Sequence, residues 1–186
     1  MPGIILNPMA EDPQRRRDRV DEMVEAWRRE LPEAATVELE IVKRLGRLSG
    51  RAEFATQEVL AAAGLTYAEF DVLATLRRAA PPHRLKPGQL AARSMLTTGG
   101  TSNILQRLSA AGLVEREADP ADRRSSWVRL TPLGVRRAEE LARATGDAHG
   151  RLFAPVPEAD LRALADLLRD VLVSLGDAPP ALPGEG

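Results

Sequence analysis

Thr98, Ser102, Asn103 and Gln106 place polar side chains on or near one side of the segment 98–111. A charged run, Asp119-Pro120-Ala121-Asp122-Arg123-Arg124, follows shortly after. Asn and Gln amides can form paired hydrogen bonds with the edge of an adenine. Arginines at a loop tip can enter a narrow, electronegative minor groove. Thr97 or Thr98 can cap the first turn of the segment, and Gly99 and Gly100 let backbone N–H groups approach a phosphate closely. Thr101 and Arg107 complete this polar set. Each feature also has a plainer reading, because small polar residues cap helices and an Arg-rich turn is commonly a solvated surface. The order of the surrounding elements favours contact with nucleic acid.

That order runs from Lys86 to Thr131. Gln89 to Arg93 reads as a short helix and Ser94 to Thr97 as a polar turn. Thr98 to Ala111 reads as a second helix, with Ile104, Leu105 and Leu108 at helical spacing and Gly112 to stop it. Leu113-Val114-Glu115-Arg116 and Trp127-Val128-Arg129-Leu130 alternate apolar and polar residues with the period of a strand. The Pro-, Asp- and Arg-rich stretch Asp119 to Ser126 between them predicts a β-hairpin with a basic tip. A helix pair followed by a charged hairpin offers two surfaces: a helix of major-groove width that reads bases, and an arginine-bearing loop beside it that grips the backbone or the minor groove.

Charge is distributed accordingly. The whole chain of 186 residues has a formal net charge of −1, which argues against a generally basic nucleic-acid coat. Between Arg84 and Arg129, however, eight basic residues stand against four acidic ones, so positive potential is local to the proposed contact face. Scarce aromatics and abundant Ala, Leu and Arg suit a helical protein with aliphatic cores. There is no cysteine, which removes disulfides and thiol redox sensing. His83 and His149 are far apart without ligand spacing, so neither a metal nor another cofactor is expected. Thr97-Thr98-Gly99-Gly100-Thr101-Ser102 resembles a nucleotide loop only superficially, lacking the lysine and the preceding strand, and no nucleophile–base pair appears, so no enzyme is expected. The absence of an 18-residue apolar run or a signal-peptide pattern predicts a soluble, cytoplasmic protein.

The flanking elements divide the chain further. Residues 1–10 read as a flexible lead. Residues 11–64 hold an amphipathic helix over 11–30 with Val20, Met23, Val24 and Trp27, ended near Pro32. A long helix over about 34–63 then carries a Val37, Ile41, Leu45, Leu48, Ala52 stripe and stops at Gly64. The reading head is placed at 65–131 and opens on a capping box, Thr66 with Glu69, ahead of a helix over 67–79. Residues 132–176 carry two more helices, about 132–152 and 157–175. The last of them bears Leu161, Leu164, Leu167, Leu168, Val171 and Leu172 on one broad face. Residues 177–186 are Pro/Gly-rich and expected to be disordered. A helix with so broad an apolar face needs a partner, either within the chain as a bundle or from a second copy.

Several of these blocks together resemble the MarR-type winged helix-turn-helix regulators: Leu65 to Leu73 (LTYAEFDVL), Leu90-Ala91, Leu105 to Leu108 with Gly112 to Arg116, and Asp119 to Arg124 leading to Val128-Arg129-Leu130-Thr131-Pro132-Leu133-Gly134. The resemblance spans roughly Leu39 to Leu175. It implies a mainly α fold with a small β-wing, and terminal helices that dimerise. It also implies a homodimeric transcription factor that binds a pseudo-palindromic operator in double-stranded DNA, usually a repressor released by a small ligand. It assigns Arg124 as the minor-groove arginine of the wing tip and has Arg116 pair with Asp122 to hold the wing in shape. The extra N-terminal helix with Trp27 is similar to the PecS-like, urate-responsive branch, in which Trp27, Asp71 and Arg116 would link ligand to reading head. Ile104 falls where that branch would place a pocket arginine. An aliphatic side chain cannot hold an anionic purine by a bidentate contact, so the expected ligand is a less acidic aromatic or phenolic molecule. From the residues alone, Trp27 can equally be packing at a helix junction, and Asp71 can pair with Arg77 or Arg78. A winged helix used as a protein–protein adaptor without DNA is the alternative function.

Overall fold

The computed structural model describes residues 17–79, 81–94, 98–119 and 122–177. They form seven α-helices, α1 (Arg19–Glu30), α2 (Val37–Ala62), α3 (Tyr67–Arg78), α4 (Pro87–Arg93), α5 (Thr98–Ala110), α6 (Pro132–Phe153) and α7 (Glu158–Ser174), and three strands, β1 (Arg84–Leu85), β2 (Val114–Asp119) and β3 (Asp122–Leu130). The architecture is mainly α with one small antiparallel sheet of order β1-β3-β2. The chain divides into two compact units, one up to Arg51 and one from Ala52. The expected flexible lead 1–10 and the tail from 178 lie outside the described residues. No single helix among the described residues is long and apolar enough to cross a membrane.

In the first unit, α1 is shorter than its expected span. Asp18 caps it, accepting hydrogen bonds from the Val20 and Asp21 amides at 2.8 and 3.0 Å. Its buried residues are Val20 and Val24, one turn apart. The Arg44 guanidinium gathers Asp18, Asp21 and Glu40 at 3.0, 2.7 and 2.7 Å. That hydrogen-bonded surround of carboxylates pushes the Arg44 pKa upward, Glu40 first. The long helix expected over 34–63 begins later, at Val37, after a 3-10 turn over Pro32–Ala34 whose first residue is a proline, a position where its missing N–H needs no partner.

In the second unit, one core gathers Leu60 from α2, Val72, Leu73 and Leu76 from α3, Leu90 from α4, Ile104, Leu105 and Leu108 from α5, the sheet residues Leu85, Val114, Val128 and Leu130, and Ala138 and Leu141 from α6. Every element of the helix pair and hairpin thus contributes to the same interior. Gly64 and Gly112 end α2 and α5 with φ of 70° and 69°, a left-handed conformation that glycine adopts without a Cβ penalty. Arg77 on α3 donates to Glu139 on α6 at 2.9 and 2.7 Å, and this contact holds the Glu139 carboxyl below its ordinary range.

The hairpin departs from expectation in length. Its strands run to Asp119 and from Asp122, so what reads as a long loop is mostly strand, with a register irregularity at Ala118/Asp119. Composition misled here because Asp and Arg at the end of a ribbon are tolerated by cross-strand pairing, not excluded by it. Strand β1 was not expected at all. Two residues are too few to show a period, and Arg84 and Leu85 become a strand only by pairing with Arg129 and Val128.

The base of the hairpin is locked to α6. Thr131 caps α6 through the Gly134 amide at 3.0 Å, donates its hydroxyl to the Gly112 carbonyl at 2.7 Å, and sends its own amide to the Leu113 carbonyl at 3.1 Å. Gly134 fits because it lacks a side chain: a Cβ there would overlap the Leu113 carbonyl and press on Leu130. Gly146, further along α6, has open space around its Cβ position. Gly134→Ala should therefore lower the melting temperature by about 10 °C through overpacking. Gly146→Ala should raise stability by roughly 0.5–1 kcal/mol through helix propensity. Thermal melts of the two variants that move in the same direction would refute this account of the α6 junction.

Candidate nucleic-acid interface

Helix α5 has one buried stripe and one exposed face. Thr101, Ile104, Leu105 and Leu108 are buried, whereas Gly100, Ser102, Asn103, Gln106, Arg107, Ser109 and Ala110 are exposed. The apolar residues recur at helical spacing and must leave water, so the polar residues between them are turned outward as a consequence. The structure therefore brings Ser102, Asn103 and Gln106 onto one accessible surface of the helix. Thr101 corrects the expected set: at 4 % exposure its side chain belongs to the inner stripe and is unavailable to a groove. Thr97 lies outside the described residues, as does the side chain of Thr98.

The two edges of this exposed face meet different neighbours. Along the Ser102, Gln106, Ser109 edge, an open pocket of about 460 Å³ is lined by those residues, Leu105, Ala110 and Arg116 of β2. Arg116 is paired in register with Val128, so it lies on the helix-facing side of the sheet, next to the reading helix. Along the opposite edge, Arg107 Nε lies 3.1 Å from Glu69 Oε1 on α3. An arginine expected only as a DNA contact thus has a protein partner.

The wing is tied down from its other face. Register places Glu115 opposite Arg129 and Glu117 opposite Trp127. Arg129 reaches Glu115 at 2.6 Å, Arg84 of β1 reaches Glu117 at 2.8 Å, and Lys86, at the start of α4, reaches Asp119 at 2.9 Å. Arg84 and Lys86 also lie over the Trp127 ring, 4.8 and 5.2 Å from its centroid. A cation over an indole face is attracted by the ring quadrupole. Two of them tie β1 and the first residue of the helix pair to the hairpin. Surface pairs are individually weak, but Asp119 is 7 % exposed and sits at the end of the wing, where its pairing is screened less.

The side chains of Asp122, Arg123 and Arg124, and with them the expected wing pair of Arg116 with Asp122, lie outside the described residues. The backbone puts all three on β3, with Asp122 opposite Asp119. Sequence reading missed Arg84, Lys86, Glu117, Asp119 and Trp127 as wing-holding residues. The alternation of Glu115, Glu117 and Asp119 along one face was a usable signal, but their partners come from a strand the pattern could not reveal.

Of the two residues assigned to ligand, Trp27 is in the last turn of α1 and 41 % exposed. Asp71 is on α3, partly buried, with Arg78 4.0 Å away. Ile104 is part of the core.

Comparison with known proteins agrees with this architecture. A MarR family model matches residues 63–125, which run from just after α2 through α3, α4 and α5 and into β3. The MarR multiple antibiotic resistance protein of Escherichia coli is 32 % identical over 116 residues, covering 62 % of this chain and 78 % of the relative. The chain belongs to the MarR family of winged-helix transcriptional regulators. The regulator PecS of Dickeya dadantii is 29 % identical over 158 residues, covering 83 % of this chain and 95 % of PecS. A mutant of the E. coli MarR solved in complex with operator DNA superposes with a TM-score of 0.62 and 26 % identity, covering 78 % of this chain and 97 % of that one. BpsR of Bordetella bronchiseptica, solved in a study of how 6-hydroxynicotinic acid regulates its DNA binding, gives 0.61 and 27 %, covering 75 % and 94 %.

Removing the indole tests how the wing of this MarR-family chain is held. Trp127→Ala should leave the helices folded but speed amide exchange across Glu115–Asp119 by about fivefold or more, from loss of two cation–π contacts worth roughly 0.5–1 kcal/mol each. Unchanged exchange on β2 would mean that the hairpin hydrogen bonds alone hold the wing.

Proposed function

We propose that the chain is a homodimeric repressor that binds a pseudo-palindromic operator and is released by a small aromatic or phenolic ligand. The observation that carries the DNA reading is the exposed face of α5, a polar surface of major-groove width presented beside a hairpin whose sequence places Arg123 and Arg124 next to its turn. The operator-bound relative of the same fold supports it. In this reading Asn103 and Gln106 contact base edges, Ser102 and the α5 N-terminus at Thr98, Gly99 and Gly100 meet phosphate, and Arg123 and Arg124 enter the adjacent minor groove.

Dimerisation is supported by α7. It has no buried residue, and it exposes Leu164, Leu167, Val171 and Leu172 on its apolar face. A helix of that kind is stabilised by burying its stripe, and a second copy supplies a matching one. Two reading heads joined in this way meet successive major grooves about 34 Å apart. The BpsR relative supports a small aromatic effector. The buried, aliphatic Ile104 supports a ligand less acidic than urate. Trp27 and Asp71 are assigned to effector contact, an assignment removed if Trp27→Ala and Asp71→Ala leave ligand release of DNA unchanged.

Fluorescence anisotropy against the duplex upstream of the chain's own coding sequence, and against duplexes selected from a random pool, tests the proposal. Tight binding with a log–log salt slope of about −9 is expected, from about five phosphate contacts per subunit. Arg124→Ala should weaken it by about tenfold. Absence of duplex binding at low salt would shift the assignment to a protein-docking winged helix.

A further inference from the structure

Glu69 is the N3 residue of the capping box, where a glutamate is ordinary, but its side chain is only 8 % exposed. Its Oε2 accepts the Thr66 amide at 2.8 Å and the Thr66 hydroxyl at 2.7 Å, and its Oε1 lies 3.1 Å from Arg107 Nε in an ion pair. The helix cap alone needs one oxygen. The second is directed to α5, and its partner stands at the edge of the exposed face opposite the wing.

We propose that Glu69 is a positioning residue for the reading helix: through Arg107 it fixes the rotation of α5 about its own axis, so that Arg107 supports the base-contacting face and does not itself neutralise a phosphate. The proposal rests on the DNA reading given above. A helix of 13 residues seated on one stripe of aliphatic side chains has few directional contacts to stop it rolling, because apolar packing is non-directional. An ion pair between a carboxylate held in place by its own helix cap and a guanidinium on the flank of α5 ties one edge of that helix to α3. On the other flank an open pocket separates the Ser102, Gln106, Ser109 edge from Arg116 of the wing, so the Glu69 link is the restraint at the edge where α5 meets α3. Asn103 and Gln106 lie on the face between Arg107 and that pocket, and base-edge hydrogen bonds tolerate little displacement.

Operator binding by full-length Glu69→Gln, Arg107→Gln and the double variant, each measured over a range of salt concentrations, tests this. Gln at position 69 keeps an oxygen for the Thr66 cap, and Arg107 has an exposed side chain, so a folded protein is expected from each; melting curves check it. Both single variants should weaken binding about fivefold, the scale of one well-placed ion pair. The salt slope should stay that of the unaltered chain, and the double variant should be no weaker than the worse single one, as for two halves of one link. A slope flattened by about 0.9 per subunit in Arg107→Gln, with Glu69→Gln unchanged or tighter, would make Arg107 a phosphate contact and overturn the proposal. Unaltered affinity in all three variants would overturn it as well. Failure of the unaltered chain to bind any duplex would instead overturn the DNA reading, and the proposal with it.

Discussion

The interior stripe of α5 is the constraint on which the rest of the structure depends. Ile104, Leu105 and Leu108, with Thr101, are buried against the same core that takes in α3, α4, α6 and the sheet. Burying that stripe turns Ser102, Asn103 and Gln106 outward without any further instruction. The chain needs no special device to expose its polar residues. A device is needed only to hold the exposed face at a defined angle: the ion pair of Arg107 with Glu69 lies at one edge, and the other edge borders an open pocket shared with Arg116 of the wing.

The wing illustrates how weak interactions can be made effective by sharing partners. Arg129 serves Glu115 and Glu117, Glu117 serves Arg129 and Arg84, and Arg84 shares the Trp127 ring with Lys86, which in turn holds Asp119. Any one of these contacts on a protein surface contributes little. Linked in series, they connect the outer end of β2 to β1 and to the start of α4, so the hairpin and the helix pair keep a defined relation. At the hairpin's base, the close approach of Gly134 to Leu113 does the same by sterics.

Much of this was legible in the sequence because it depends on local rules. The glycine stops at Gly64 and Gly112, the Thr66–Glu69 capping box and the inward Ile104, Leu105 and Leu108 stripe all follow from neighbours within a turn or two. What was not legible depends on pairing across distance. Strand β1 is two residues defined by Arg129 and Val128. The long strands of the wing override a loop-like composition, and the second oxygen of Glu69 finds a partner 38 positions away. Thr101 was misplaced for a related reason: a threonine is compatible with either side of a helix, and only packing decides between them.

Site-specific cross-linking tests the central claim, that the outer face of α5 lies against bases, most directly. The chain has no cysteine, so one introduced residue can carry a photoreactive group without interference. Gln106→Cys on the exposed face of α5 and Ala142→Cys on the exposed side of α6 form the comparison. With a bound duplex, the account predicts base cross-links from position 106 and none from position 142. Cross-links confined to position 142, or equal at both, would contradict it.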